Sequence, residues 1–219
     1  MDPLVTSIAS RAVGPVKAAV LYFWRQWFPR RLGYQMAPKN ILELIGPYVH
    51  RRKVIELLGH PHEYESGRAA YRFANALLQI NYDGASVANV VLVSLRMAWP
   101  NRFEIFPFDF RLGASTFSDV CELQPNGNLE MKVDSSTKFY TLWKEEYFGH
   151  SGRYHSYYFA LLSAAVFPGV EMPPADYDRC DTEPWDQAIL RNPGRAKFNA
   201  VMISKDNDEL FAFDFTMFN

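Results

Sequence analysis

The clearest hydrophobic pattern runs from Lys53 to Leu95. Val54, Ile55, Leu57 and Leu58 bracket Glu56 at helical spacing, which predicts a short amphipathic helix. Pro47 suits its first position, Gly59 its end, and Pro61 lies just beyond. His50, Arg51, Arg52 and Lys53 form a basic first turn that opposes the helix dipole, so they are expected to serve something besides the helix. Tyr71 and Phe73 alternate with Arg72, and Leu78, Ile80 and Tyr82 alternate with Gln79 and Asn81, which is strand period. Asp83-Gly84 predicts a tight hairpin, because glycine supplies a positive φ. Val87 to Leu95 is nearly all apolar and predicts a central strand covered on both faces.

The flanking pattern is broken by turns. Asn40 to Ile45 predicts a short helix ended by Gly46-Pro47. Phe103 to Phe110 predicts an edge or bulged strand interrupted by Pro107. Leu112 to Val120 predicts a second helix, capped by Ser115 or Thr116 with Asp119 following. Leu129, Met131 and Val133 alternate with charged residues as a half-buried strand. Lys138–Tyr147 and the first half of Tyr154–Phe167 also read as strands. Glu171 to Arg195 reads as a long irregular loop, and Phe198–Ser204 with Leu210–Phe218 as a closing hairpin. Gly67-Arg68 followed by Tyr71 and Phe73 is echoed by Gly152-Arg153 followed by Tyr157 and Phe159, which suggests two copies of one unit. The expected fold is α+β, with antiparallel sheets, short helices and two duplicated helix-plus-meander subdomains at 39–98 and 103–219. An N-terminal amphipathic helix over 1–32 precedes them.

Composition refines this picture. Aromatic residues make up 16% of the 219-residue chain, mostly Phe and Tyr, which favours sheet. A net charge of −1 argues against general nucleic-acid binding by the whole chain. Cys121 and Cys180 form neither a disulfide framework nor a zinc pattern and read as two separate thiols, with one disulfide as the alternative in an exported chain. The N-terminal segment is apolar but carries Arg11, Gly14, Pro15 and Lys17, and each central charge costs roughly 2.5–3.5 kcal/mol on insertion. It reads as an interfacial helix or, equally, as an amphipathic helix packed on the body of the chain or on another copy, rather than as a span or a signal peptide. Arg11, Lys17, Leu21, Phe23, Trp24, Arg25, Trp27, Phe28, Arg30 and Arg31 are its candidate contacts with a membrane or a partner.

Val54, Leu58, Gly59, Pro61, Gly67, Tyr71, Phe73, Tyr82, Asp83, Gly84 and Val87 form a pattern that resembles the small two-layer unit of the SmpA/OmlA-type outer-membrane assembly lipoproteins. The likeness covers about forty residues, rests on structural positions, and lacks a lipobox cysteine near the N-terminus. It implies a bacterial-type fold of binding modules. Candidate chemistry is sparse. His60-Pro61-His62-Glu63 is the densest titratable cluster but lacks an identifiable fourth metal ligand, and the Asp176–Asp186 run lacks calcium-loop spacing. No catalytic or phosphate-cradling motif stands out, and no catalytic residue, metal or cofactor is assigned. The expected function is a non-enzymatic binding or assembly module, cytoplasmic and peripheral to a membrane, with membrane anchoring as the alternative location. A protein partner, further copies of the chain or an anionic membrane surface are the expected contacts, and nucleic acid is not. A metal-assisted hydrolase built on His60, His62 and Glu63, and a structural subunit joined through its N-terminal helix, are the alternatives.

Overall fold

The computed structural model describes residues 35–95, 102–123, 131–135, 140–150, 153–163, 193–206 and 210–218. The chain divides into two compact units, Met1–Gln35 and Met36–Asn219, and the elements below belong to the second. The helix expected over 1–32 lies outside the described residues.

Two short helices open the unit, α1 (Ile41–Leu44) and α2 (Arg51–Leu58). Gly59 ends α2 with φ 78°, and its N–H closes on the Ile55 carbonyl. At the other end His50 is the cap, its Nδ1 accepting the Arg52 N–H at 3.1 Å. The helix therefore begins at Arg51, four residues later than Pro47 suggests. Tyr48, next to that proline, has φ 69°, which no helix can incorporate.

A four-strand meander follows: β1 (Glu63–Glu65), β2 (Arg68–Arg72), β3 (Ala76–Asp83) and β4 (Ser86–Ser94). A separate hairpin, β5 (Glu104–Ile105) with β6 (Phe110–Arg111), replaces the single edge strand expected there. Helix α3 (Phe117–Cys121) is closed by a capping box: the Thr116 Oγ1 accepts the Asp119 N–H, and the Asp119 carboxylate accepts the Thr116 N–H at 2.6 Å. A second meander comprises β7 (Lys132–Ser135), β8 (Tyr140–His150), β9 (Arg153–Ser163) and β10 (Ala200–Ser204).

The two meanders form one antiparallel sheet of eight strands, ordered β1-β2-β3-β4-β10-β9-β8-β7. Their last strands meet at a seam, where Met202 faces Val91 and Ile203 faces Val90. Asn199 fastens it. Its buried amide bonds both backbone groups of Leu162, and its carbonyl accepts the Ser94 N–H at 2.8 Å. The α+β class with antiparallel sheets is thus what the fold displays, and the sheet is continuous across the 39–98 and 103–219 segments. The sequence echo equates β2 with β9, whereas counting outward from the seam sets β9 opposite β3.

Each face of the sheet has its own core. On the first face Ile41, Val54, Phe103, Phe117 and Val120 cover Leu78, Val90, Leu92, Phe159 and Val201. The register shifts between Asn81 and Tyr82, leaving Ala88 unpaired, so that Val87 joins Val90 and Leu92 on this face. On the second face Leu77, Val91, Trp143, Tyr158 and Met202 pack with Phe211, Met217 and Phe218.

The β3–β4 turn allows a direct check. Gly84 has φ 60°, and an added Cβ would meet nothing within 4 Å, so only the backbone resists substitution. Gly84→Val is expected to lower stability by about 1–2 kcal/mol and Gly84→Asn by less, measured by urea unfolding. Equal midpoints for both variants and the parent would refute the turn assignment.

A candidate binding groove on the second face

The residues from Leu210 to Phe218, expected as a strand, form no ladder. Both edges of β10 are already taken, by β4 and β9, so no strand edge is open beside it. The segment instead lies on the second face as a strap that ends in a short 3-10 turn, Phe215–Phe218. Three of its apolar side chains turn toward the sheet: Phe211 packs near Trp143 with ring centres 6.5 Å apart, and Met217 and Phe218 are buried, while Leu210 stays exposed. Polar contacts fix its course. The Asp214 N–H donates to Gln79 Oε1 at 2.8 Å, and Arg68 meets the Asp214 carboxylate at 3.0 Å. The same carboxylate accepts from the Thr216 N–H and hydroxyl, closing the turn.

Beside the strap runs an open groove of about 1390 Å³. Its lining comes from both meanders and from the strap: Arg68, Gln79, Asn81 and Asn89 from the first meander, Lys132, Asp134, Thr141, Trp143, Leu162 and Met202 from the second, and the 210–216 stretch of the strap itself. The sheet register explains the polar part. Arg68 faces Asn81, Asn81 faces Asn89, Asn89 faces Ser204, Ser204 faces Ser156, and Ser156 faces Tyr147. A row of polar side chains thus crosses six strands on a face otherwise rich in apolar groups. The amides are chained, Gln79 Nε2 donating to Asn81 Oδ1 at 3.2 Å and Asn81 Nδ2 to Asn89 Oδ1 at 2.7 Å. Ser156 Oγ is buried without a hydrogen-bond partner, as is the Trp143 indole N–H. Leaving such groups unpaired costs about 1–3 kcal/mol each. Charges at the groove largely cancel, since Arg68 pairs with Asp214 and Lys132 with Glu145 at 3.3 Å.

The titratable cluster singled out from the sequence is not assembled into a centre. His62 is used by the backbone, its Nδ1 accepting the Arg72 N–H at 3.2 Å, while His60 and Glu63 are exposed. Among the described residues no group of three or more His, Cys, Asp or Glu side chains converges on a point that would hold a metal ion. The basic turn of α2 does have another use. Arg51 lies over the Tyr64 ring at 4.3 Å and donates to its hydroxyl, with Tyr82 next to it. Burial pushes the Tyr82 and Tyr71 phenols up, only partly offset by the Arg51 charge. Arg52 pairs with Glu56 on the exposed side.

Two further features lie off the groove. Lys144 and Glu146 form a buried ion pair at 2.9 Å, and burial raises the nearby Cys121 thiol, with the Lys144 charge opposing that rise. Cys121 is a free thiol. At one end of the sheet a set of aromatic rings stands in solvent. Tyr147 and Tyr154 stack at 5.1 Å and Phe148 meets Phe108 at 4.7 Å, with Tyr48 and Phe106 also exposed. At the same end Lys205 holds the Asp83 carboxyl below its usual range through a direct hydrogen bond.

The candidate contacts Arg11, Lys17, Leu21, Phe23, Trp24, Arg25, Trp27, Phe28, Arg30 and Arg31 lie outside the described residues, as do Cys180 and the acidic run Asp176 to Asp186. Among the described residues no helix is long and apolar enough to cross a membrane. The residues that carry the lipoprotein-like pattern fall on α2, on β2 to β4 and on the turns joining them, and they act as skeleton: Tyr71 bonds the Gly59 carbonyl at 3.2 Å, and Gly67 and Gly84 make turns. No family model, no curated protein and no solved structure matches the chain.

Proposed function

We propose that this chain is a non-catalytic binding or assembly module that engages a protein partner through the second face of its sheet, at or near a membrane surface. The observation that carries the proposal is the groove itself: a large, open and nearly charge-neutral site in which amides, apolar side chains and aromatic rings converge from both halves of the sheet. The exposed rings of Tyr48, Phe106, Tyr147, Phe148 and Tyr154 support a role in contact rather than chemistry. The membrane part rests on the sequence of the N-terminal segment, where Leu21, Phe23, Trp24, Trp27 and Phe28 accompany Lys17, Arg25, Arg30 and Arg31.

Flotation with vesicles containing an anionic phospholipid, comparing the full chain with a chain beginning at Met36, tests the membrane part. The full chain is expected to float and the shortened one to stay behind. The shortened chain starts at Met36 so that it keeps Ala37, whose backbone N–H and carbonyl are bonded by the buried Asn75 side chain. If neither chain floats, the membrane part is wrong and only the groove remains.

A further inference from the structure

We infer that the groove takes an extended, uncharged stretch of polypeptide lying beside the strap, with its backbone met by the amide row. This rests on the binding-module reading and names its ligand class. The molecule already shows how this face holds an extended chain. The strap is a non-strand segment seated there by phenylalanine side chains and by a backbone N–H, that of Asp214, donated to the side chain of Gln79 at 2.8 Å. The groove offers the same elements again. Half-exposed Asn81 gives one amide hydrogen to Asn89 and one lone pair to Gln79, and its second hydrogen and second lone pair match the N–H and C=O of a peptide and no purely accepting ligand. Half-buried Phe213 and Phe215 and exposed Leu210, all on the strap, supply apolar contact at the other side.

Charge selects against other ligands. Arg68 and Lys132 are each bound to a carboxylate, and Asp134 adds a negative charge to the lining, so a phosphate-bearing chain or headgroup meets no free cation among the described lining residues. A peptide rich in Asp or Glu is disfavoured for the same reason. The ligand that fits is neutral, with apolar side chains spaced to alternate with the backbone groups that the amides bind.

Selection from a displayed library of random linear peptides, on immobilised full-length protein, tests this. Enriched peptides are expected to be poor in charged residues. They should bind roughly tenfold or more weakly to Thr141→Trp, which fills the groove from a half-exposed position, and to Asn81→Leu, which deletes the central amide. Thermal unfolding of both variants confirms that they are folded. Thr141→Trp leaves every amide in place, so it tests the groove even if Asn81→Leu loosens the sheet. Peptides whose binding neither variant alters would overturn the inference while sparing the binding-module reading. A selection dominated by acidic peptides would overturn it as well. No enrichment above a bare surface would overturn both.

Discussion

Ending the chain after Asp206 is expected to unfold the protein or leave it aggregated. The strap removed by that change buries Phe211, Met217 and Phe218 against the second face. Each such side chain contributes about 1.5–3 kcal/mol, so the three together approach the roughly 5–15 kcal/mol that stabilises a domain of this kind. The cut also uncovers Trp143, Val91 and Met202 on a face with no other cover among the described elements. Soluble expression and circular dichroism of the shortened chain are the measurements. Asp214→Ala provides the contrast. It loses a partly exposed ion pair and two local hydrogen bonds, and it keeps the backbone donor to Gln79, so its cost should stay near 1 kcal/mol. A shortened chain that melts like the parent would show that the strap is an appendage and not part of the core.

Phe159→Ala is the second large effect. Phe159 is fully buried and touches four other rings: Phe108 and Phe110 of the β5–β6 hairpin, Phe198 before β10, and Tyr157 on its own strand. It therefore joins the hairpin and the second meander into the first-face core. Truncating a phenylalanine in such a place costs about 3–5 kcal/mol, through lost transfer energy and the cavity left behind. Urea unfolding should show a lower midpoint with an unchanged slope. A loss below about 1 kcal/mol would mean that the hairpin does not pack on β9 as described.

What the sequence made legible follows from range. Gly59, the Asp83-Gly84 turn and the Thr116–Asp119 capping box are decided by residues within four positions of each other, and each formed where the pattern puts it. The central strand Ser86–Ser94 was legible too, because burial on both faces leaves an apolar run. The seam was not, since pairing β4 with β10 joins segments more than a hundred residues apart and no local preference encodes it. The strap misled for a physical reason. Phe211, Phe213 and Phe215 alternate with Ala212 and Asp214, and a chain laid flat across a sheet shows the same period as a strand within one.

The groove was the least legible part. Its lining residues Arg68, Asn81 and Asn89 belong to a polar row that continues through Ser204, Ser156 and Tyr147, and these become neighbours only once six strands are in register. One signal was present. Asn89 interrupts the mostly apolar Val87–Leu95 run, and a polar side chain in the middle of a buried strand calls for a partner. The bulge at Ala88 hid that partner, because an unbroken register from the turn places Asn89 opposite Ile80 rather than Asn81. The basic turn at the start of α2 divides its roles: Arg51 reaches away from the helix and stacks on Tyr64, whereas His50 caps the helix and Arg52 and Lys53 pair with its Glu56.

Everything proposed for the second face depends on the two meanders being one sheet, since the groove draws its lining from both. Amide hydrogen exchange along the seam tests this most directly. If β4 and β10 are neighbours as described, the paired amides of Val90 to Val93 and Ala200 to Ile203 should exchange together, among the slowest in the chain, with the free energy of global unfolding. Exchange in β10 that is orders of magnitude faster than in β4 would contradict the account, for it would mean that the meanders open independently and that the groove between them is not a fixed site.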